Sequence, residues 1–332
     1  MTERSMLIHQ LISIVGDYKT GKIAAFDEAH VDKWLVQFPV ESQLPLLSEL
    51  NYVLQHTYLK KTDISNFFKD HIITPNIHSG IFLNTTLLDI QGGGDSQKDC
   101  IEIFNADLYI AVGNGAAINN NNADHFLYLD DVIFSGQRMR TDITNWLIAS
   151  APQKGSLYVV THTMHRLSLW YSENFIKDKI TASGKQISLK FIYKELIEDR
   201  LFYTYSSDVL RPVSNNWNET ITNYIQGLAK PPTYRHPGSI GGKGFFSSDG
   251  GRQLLENEFL AAGAYIRKIC KNFSINHRPL GFMKLESFGF GTMIVSYRNC
   301  PNNAPLALWA GDPWYPLFPR SNNIPAAMRG NV

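Results

Sequence analysis

The feature that most constrains the fold is an alternation of strand-like and helix-like segments through the middle of the chain. After Pro75, four runs are rich in β-branched and aromatic residues, at 81–90, 125–129, 156–161 and 187–197. Helix-like segments lie between them at 96–106, 138–149 and 169–182, and the asparagine-rich segment 114–124 has the composition of an exposed loop. Strands that alternate with helices predict an α/β fold whose parallel sheet is flanked by helices.

The segments on either side of this alternation have a different character. Upstream, apolar residues recur at helical spacing behind Asp27 and predict three helices before residue 75. Downstream, the chain is polar and irregular, with a helix expected at 252–271, a strand at 292–297 and a tail rich in Pro and Trp. We therefore expect three parts: an N-terminal helical layer (1–75), an α/β core (76–207) and a C-terminal extension packing on the core (208–332).

Composition and charge exclude several classes of protein. Hydrophobic residues at 44% and charged residues at 18% are globular proportions. The net charge of +1 is too low for a protein that coats nucleic acid by charge alone. No stretch reaches the roughly 18 apolar residues of a membrane span, and no signal-peptide pattern is present, so we expect a cytoplasmic protein without a membrane partner. The widely spaced Cys100, Cys270 and Cys300 predict buried thiols.

The most informative stretch for function is 125–139, where an apolar strand leads through two acids and a short bend into a helix. Ligands of open α/β sheets bind beyond the carboxyl ends of the strands, and a helix that begins there offers N–H groups to an anion. Asp130 and Asp131 would accept hydrogen bonds from the vicinal hydroxyls of a sugar. Four residues of the bend are expected to hold a phosphate: Ser135, Gly136, Gln137 and Arg138.

Other interpretations of the acid pair remain open. A Walker B-like strand, a HAD-like strand and a solvent-facing acid pair at a strand end all have similar sequences. A Walker B role lacks its P-loop, because in the segment 238–243 Pro237 stands where the first glycine belongs and Gly244 follows the lysine. A HAD role lacks the Asp-x-Asp spacing.

A second candidate site precedes another helix, where three glycines at 92–94 follow the run 81–90. Ser96 and Asp99 are expected to form a capping box at the start of that helix. A glycine-rich turn before a helix suits a diphosphate, although a turn that only caps the helix has the same composition. Asp95 would oppose an anion unless magnesium intervened.

Three further residues have two interpretations each. His162 and His165 end the run 156–161 and could bind a metal or face the same cleft as the acid pair. Two histidines without a neighbouring carboxylate are more often ordinary loop residues. Arg320, at the end of the tail, could reach the ligand cleft or close a surface ion pair.

The stretch 125–139 resembles the loop of the type I phosphoribosyltransferases that binds 5-phosphoribosyl 1-diphosphate, an apolar run followed by two acids and Thr-Gly-x-Thr. Gln137 is bulkier than the small residue of that pattern, and Arg138 replaces its final hydroxyl residue. The resemblance implies a type I phosphoribosyltransferase-like sheet and Mg²⁺ that offsets the charge of the diphosphate. It also implies a diphosphate contact by Gly94, Ser96 and Lys98.

Most of the chain is similar to a narrower family, PRTase-CE, of bacterial conflict systems. Three segments carry this resemblance: the N-terminal helices with Trp34 and Phe38 and then Leu54 and Tyr58, the loop from Asp130 to Gly136, and the tail 299–320 with Trp309 and Trp314. The resemblance implies an effector of anti-phage defence. In some loci it implies partners as well, a retron reverse transcriptase with its RNA–DNA hybrid and a DNA-binding winged-helix protein.

Two functions are therefore expected. The first is a magnesium-dependent enzyme that binds 5-phosphoribosyl diphosphate or a nucleotide and acts by glycosyl transfer or N-glycosidic hydrolysis. Asp130 and Asp131 would be its catalytic and magnesium-binding residues. The second is a catalytically inactive nucleotide-sensing or assembly subunit of a retron-type defence complex, which Arg138 in place of a hydroxyl residue favours.

Overall fold

The structure is a computed structural model that describes residues 2–271 and 273–320. Besides the helices below it contains a π-helical turn at Lys69–Ile73 and a 3₁₀ turn at Ile81–Asn84. The α-helices are α1 (Glu3–Val15), α2 (Glu28–Leu35), α3 (Val40–Thr57), α4 (Lys61–Phe68), α5 (Thr74–Asn76), α6 (Ser96–Val112), α7 (Gln137–Ala149), α8 (Arg166–Ala182), α9 (Glu219–Gln226), α10 (Asp249–Ile269) and α11 (Leu306–Trp309).

The strands form one large parallel sheet and two small pairs. They are β1 (Tyr58–Leu59), β2 (Thr85–Leu87), β3 (Ala117–Ile118), β4 (His125–Ile133), β5 (Lys154–His165), β6 (Gln186–Ile197), β7 (His277–Arg278), β8 (Gly281–Phe282) and β9 (Val295–Ser296). In the described part of the chain the large sheet has five strands in the order β3-β2-β4-β5-β6, and every neighbouring pair is parallel. The predicted α/β fold with a parallel sheet flanked by helices is confirmed.

The chain divides into two compact units. One is continuous, from Lys61 to Ile197, and contains the parallel sheet. The other is discontinuous and joins the segment up to Lys60 with the segment from Glu198 onward. These boundaries fall at 60 and 197, whereas the sequence placed boundaries at 75 and 207, and the three-part organisation stays a prediction.

The continuous unit has its main apolar core between the sheet and the helices α7 and α8. Strand residues pointing to this face include Phe126 and Tyr128 of β4 and Leu157 and Val159 of β5, all of them fully buried. Helix α7 contributes the ring of Trp146, whose centroid lies 5.2 Å from that of Phe126. Alternate residues of each strand therefore point into this core, and the residues between them point to the opposite face of the sheet.

Two segments of this unit differ from their predicted structure. The run 81–90 forms only the three-residue strand β2, because Gly80 adopts a left-handed φ of 69° and residues 81–84 coil into the 3₁₀ turn. The predicted loop 114–124 contains the short strand β3, which pairs with β2 at the edge of the sheet. Strands β4 and β5 extend four residues further than the predicted ends, 129 and 161.

In the discontinuous unit the C-terminal tail packs against the N-terminal helices. The indole nitrogen of Trp34 in α2 donates to the Ala307 carbonyl at 2.8 Å, and the Tyr18 hydroxyl donates to the Pro319 carbonyl at 3.0 Å. Packing of this segment on the α/β sheet stays a prediction. The guanidinium of Arg320 lies 4.7 Å from the ring centroid of Trp309. Across the described residues, no helix combines the length and the hydropathy of a bilayer span.

Candidate functional site

The acid pair lies inside strand β4 rather than after its end, because the strand continues to Ile133. Asp130 is half-exposed, whereas Asp131 is 8% exposed. The Asp130 carboxylate accepts the backbone N–H of Asp131 at 3.0 Å, and the Asp131 carboxylate accepts that of Val132 at 2.9 Å. Short acidic side chains often bond to the neighbouring backbone in this way, and here they do so where the strand deviates from regular pairing.

The sheet changes its facing pattern at the level of Asp131. Tyr128 and Ile133 both pack into the core under α7 and α8, although they stand an odd number of positions apart. Val159 and Met164 of β5 show the same spacing in the same core. Residues an odd number apart point to opposite faces in a regular strand, so the alternation slips by one residue in both strands. Both strands therefore depart from regular alternation beside the acid pair.

The phenol of Tyr128 lies close to two carboxylates on the α7 side of the sheet. Burial raises its pKa far above the usual value, and the charges of Asp130 and then Asp142 raise it further. Its hydroxyl donates to Asp142 at 3.3 Å. Asp130 and Asp142 therefore both act electrostatically on this phenol, and Asp142 also bonds to it.

Gly136 caps helix α7 in a left-handed conformation with φ of 66°. A Cβ atom there would lie 2.5 Å from the Ser168 hydroxyl oxygen and 2.7 Å from that of Ser172, both on α8. The structure thus gives a packing reason for this glycine, which the sequence had explained by close approach to a phosphate. Contact between Gly136 and a phosphate stays a prediction. The phosphate contacts expected for Ser135 and Gln137, which are exposed, also stay predictions.

Arg140 holds the backbone of the bend in place through hydrogen bonds. Its guanidinium is buried and donates to the Ser135 carbonyl at 3.0 Å and to the Ser172 hydroxyl at 2.8 Å. The same group lies 4.5 Å from the ring centroid of Tyr171. Burial lowers its pKa, while the Tyr171 charge opposes that shift. Arg140 thus fixes the backbone of the bend to helix α8.

The glycine-rich turn after β2 is held by a buried glutamine. The Gln97 side chain accepts the backbone N–H groups of Ile90 at 2.7 Å and of Gln91 at 2.9 Å. Asp95 is the N-cap residue of α6 and Ser96 is already helical, so the predicted Ser96–Asp99 capping box is wrong. The physical reason is that the Gln91 side chain accepts the backbone N–H of Gln97 at this helix end.

Two hydrogen bonds join this turn to helix α7. Arg138 donates from Nη1 to the Gly93 carbonyl at 2.6 Å, and Asp142 accepts the backbone N–H of Gly92 at 3.2 Å. Burial raises the pKa of the Asp142 carboxyl. The hydrogen bonds from the Gly92 N–H and the Tyr128 hydroxyl, together with the charge of Arg138, partly offset this rise. The turns after β2 and after β4 therefore form one edge of the sheet. We define this edge as the double-turn edge, comprising residues 91–98 and 130–142.

The remaining predicted ligands lie on the same edge. Gly94 and Lys98 are exposed, and Ser96 is half-exposed. Gly94 adopts a left-handed φ of 86°, and the Ser96 hydroxyl accepts a bond from the Gln91 amide at 3.0 Å. The structure thus brings every predicted ligand to one edge, and their contact with a substrate stays a prediction.

The donor set of this edge fits magnesium only together with substrate oxygens. Within residues 2–271 and 273–320, no group of three or more His, Cys, Asp and Glu side chains is placed to hold a metal. Magnesium commonly keeps several waters and uses one or two carboxylates with substrate phosphates. Asp130, half-exposed at the edge, suits that second arrangement.

The two candidate histidines serve the framework. His165 is fully buried, donates from Nδ1 to the Ile133 carbonyl at 3.1 Å, and burial lowers its pKa to about 4. His162 is buried against Phe67, and burial and Lys194 lower its pKa to about 4. Both rings are therefore neutral near pH 7. His165 also contacts Phe134 of the bend, with ring centroids 5.3 Å apart.

Sequence inspection missed the residues that hold the edge together. Arg140, Asp142 and Gln97 are buried polar residues on helices, and the buried Ser172 of α8 bonds to Arg140. Asp142 interrupts the buried stripe of α7 formed by Met139, Ile143 and Trp146. A polar residue on an apolar stripe is the signal that could have identified it.

The segment 238–243, whose glycines and lysine do not match a P-loop, binds a carboxylate of this chain. The Asp208 carboxylate accepts the backbone N–H groups of Gly242 at 2.8 Å and of Lys243 at 2.9 Å. Burial raises the pKa of that carboxyl, and these N–H bonds oppose the shift. Those donors are used within the discontinuous unit.

Comparison with known proteins gives one match that spans most of the chain. The family model PRTase-CE matches residues 31–320. No curated protein matches the chain significantly. A solved structure titled as a hypothetical protein from Neisseria gonorrhoeae with bound ppGpp aligns with 43% of this chain and 85% of its own, at 10% identity and a TM-score of 0.25. A likeness that weak carries no argument about function.

Proposed function

This chain belongs to the PRTase-CE family, and on that premise we propose that the double-turn edge binds a phosphoribosyl group, carried as its diphosphate or as a nucleotide. The observation that carries the proposal is the 2.6 Å bond from Arg138 to Gly93, which joins the turns after two neighbouring strands. Each turn leads directly into a helix, α6 or α7.

Electrostatics support an anion at this edge. Two helices begin side by side, and each contributes backbone N–H groups and the positive end of its dipole. Arg138 and Lys98 are exposed there and add positive charge. The guanidinium carries several N–H donors, so the bond to Gly93 leaves capacity for a phosphate. The 5-phosphate would bind at the bend 135–138, and the diphosphate at the turn 91–98.

Asp130 is the acid that we assign to the ribose. It is half-exposed and its charge acts on the Tyr128 phenol, whereas Asp131 is buried. Ionised carboxylates accept hydrogen bonds from two vicinal hydroxyls. We expect Asp131 to hold the irregular backbone of β4 and Asp130 to contact the sugar.

The proposed chemistry is departure of a leaving group from the anomeric carbon, by glycosyl transfer or N-glycosidic hydrolysis. Such a centre develops positive charge, so a carboxylate near the ribose stabilises it and fixed phosphate contacts orient it. Magnesium, when bound by Asp130 and the substrate oxygens, would neutralise charge on the diphosphate. Asp131, committed to the backbone of β4, would at most complete that donor set.

The biological role follows from family membership and is part of the proposal. We infer an effector of bacterial anti-phage defence, working in some loci with a retron reverse transcriptase, its RNA–DNA hybrid and a DNA-binding winged-helix protein. Consumption of a phosphoribosyl compound or nucleotide would deprive an infected cell of nucleotide precursors.

A second candidate function is a nucleotide-sensing or assembly subunit without turnover. The position of Arg138 favours it, because a hydroxyl residue of the resembled pattern is replaced by a side chain that bonds to Gly93. A turn fixed in this way can hold a phosphate without promoting departure of the leaving group.

One experiment separates these functions. Binding of 5-phosphoribosyl 1-diphosphate is measured by calorimetry with and without Mg²⁺, and release of diphosphate or free base is followed for that compound and for nucleotides. Asp130→Asn is compared with Asp178→Asn, an exposed acid on α8. Turnover that Asp130→Asn removes and Asp178→Asn leaves supports the enzyme, and binding without products supports the sensor. Absence of binding in the presence of Mg²⁺ would contradict both.

A further inference from the structure

A cavity of about 430 Å³ lies on the face of the sheet opposite the α7–α8 core. All of its lining residues belong to the continuous unit, between His71 and Tyr193. Its volume is within the range of small-molecule sites in proteins. It is formed by other residues than the double-turn edge.

The floor of the cavity follows from the register of the sheet. Leu127 pairs with Tyr158, and Tyr158 pairs with Lys190, so these three side chains form a row across β4, β5 and β6. One step along, Val160 pairs with Ile192 in the same orientation. Adjacent positions such as Phe126 and Leu157 point to the α7–α8 core instead. The floor is therefore apolar with one aromatic ring and one cation.

The roof is a segment of irregular helix. His71 and Ile72 belong to the π-helical turn after α4, Asn76 ends α5, and Phe82 lies in the 3₁₀ turn before β2. A regular crossover helix would lie flat on the sheet, whereas these short pieces leave a gap above β5 and β6. π-Helical turns are uncommon and frequently occur at functional sites.

The polar side chains of the cavity include one lysine and two histidines. Lys190 is exposed at the mouth, and His71 and His125 also line the cavity. The His125 Nδ1 atom is buried and has no hydrogen-bond partner among the described residues, which is costly unless a ligand satisfies it. No aspartate or glutamate of the described chain lines the cavity. A ligand here would gain from negative charge.

We propose that this cavity is a second ligand site, which takes a small aromatic anion of the size of a nucleoside monophosphate. The planar ring lies between Tyr158 and Phe82, and the anionic group bonds to Lys190. His125 Nδ1 supplies a donor or acceptor to the polar edge of the ring. A site with aromatic walls and one cation favours a ring that carries an acidic group. A neutral ring would leave Lys190 without a counter-charge, and a sugar phosphate would leave the aromatic walls without a ring to contact.

This site stands independently of the proposed function. Its lining residues include neither Asp130 nor any residue of the bend 135–138. Strand β4 passes from Leu127 on its floor to Asp130 at the double-turn edge, so occupancy of the cavity can influence the edge through one strand.

The test measures binding of AMP, UMP and benzoate by calorimetry, with adenosine and ribose 5-phosphate as controls that lack the acid or the ring. Variants Lys190→Gln and Tyr158→Ala are compared with Lys154→Gln, an exposed lysine of β5 outside the cavity, and with Asp130→Asn. Lys190→Arg and Tyr158→Phe keep the charge and the ring. Thermal unfolding of each variant shows that it folds.

We expect at least one of the three anions to bind with an affinity that Lys190→Gln lowers by about tenfold or more. Lys154→Gln and Asp130→Asn should leave it unchanged, Lys190→Arg and Tyr158→Phe should retain it, and both controls should bind weakly. The proposal is overturned if none of the three anions binds, or if binding depends on Asp130 and not on Lys190. In the second outcome the double-turn edge is the site, and the proposed function survives the loss of this inference.

Discussion

Arg138 and Gly93 join two turns that are separated by 45 positions in the sequence, through a 2.6 Å hydrogen bond from the guanidinium to a backbone carbonyl. The bond runs between the turn after β2 and the first turn of α7. The Gly93 carbonyl belongs to a run of three glycines, which lacks side chains to order it. Arg138 therefore adds a bond from a distant part of the chain to those that Gln97 and Asp142 make to this turn.

Replacement of Arg138 by glutamine should loosen the glycine-rich turn. Glutamine is too short to reach the Gly93 carbonyl, so the amides of 92–95 should exchange hydrogen faster while those of β4 keep their protection. The measurement is hydrogen–deuterium exchange with mass spectrometry. The matched control is Arg4→Gln in α1, whose guanidinium bonds to Asp32. Equal protection of 92–95 in all three proteins would show that Arg138 does not order the turn.

Gly136→Ala should destabilise the protein through contact with α8. A positive φ alone costs a residue with a side chain about 1–2 kcal/mol. The new Cβ would also lie within 3 Å of the Ser168 and Ser172 hydroxyls, and such overpacking adds about 1–3 kcal/mol. Gly184→Ala is the control, because Gly184 has a φ of 68° and no atom within 4 Å of the new Cβ.

Urea unfolding measures both alanine variants. The free energy of unfolding should fall more for Gly136→Ala than for Gly184→Ala, and Ser168→Ala with Ser172→Ala should reduce the difference. Equal losses would mean that backbone conformation alone requires glycine at the bend.

Arg140→Lys should lower stability although it keeps the charge. Lysine presents one ammonium in place of the planar fork that bonds to Ser135 and Ser172 and lies over Tyr171. Loss of buried hydrogen bonds of this kind costs about 1–3 kcal/mol. The control, Arg4→Lys, changes an arginine of a partly exposed ion pair, where such pairs contribute about 0–1 kcal/mol. A loss from Arg140→Lys no larger than the control would contradict the supporting role.

The free energy of unfolding of Asp142→Asn should increase relative to that of the parent protein as pH rises. Burial raises the pKa of the Asp142 carboxyl above its usual value of 3.8. A raised folded pKa gives stability that is fully present below the unfolded pKa and is lost as pH rises through the folded pKa. Asparagine does not titrate and keeps an oxygen for the Gly92 N–H.

Urea unfolding between pH 3.5 and pH 7 tests this linkage. The difference between Asp142→Asn and the parent should increase through that range, and more than the difference for Asp178→Asn, which removes an exposed charge on α8. A difference that declines with rising pH would mean that the folded pKa lies below 3.8.

The sequence predicted the strands because apolar runs mark a buried parallel sheet, and β6 at Gln186–Ile197 nearly coincides with the predicted 187–197. It ended β4 at Leu129 because two acids follow. Those acids stay in the strand because their own carboxylates bond to the N–H groups of Asp131 and Val132. Helix α1 was not predicted, and its N-terminus depends on a local cap in which the Thr2 hydroxyl accepts the Ser5 N–H.

The site was harder to predict because its supports are distant in sequence. Gly136 was identified from a local pattern, but its packing partners Ser168 and Ser172 lie on the next helix. Arg140 bonds to Ser172, 32 positions away, and nothing near Arg140 in the sequence marks that contact. Local patterns therefore located the candidate ligand residues, and the three-dimensional fold was needed to find the residues that hold them in place.

The discontinuous unit has a consequence for synthesis on the ribosome. Trp34 bonds to Ala307, 273 positions later, so the apolar face of α2 leaves the exit tunnel long before its partner exists. At about 5–20 residues per second that wait is on the order of 14–55 seconds, whereas the segment Lys61–Ile197 emerges whole and can fold meanwhile. During that interval the Trp34 indole lacks its native partner, so we expect chains truncated before Ala307 to aggregate more readily than the full chain.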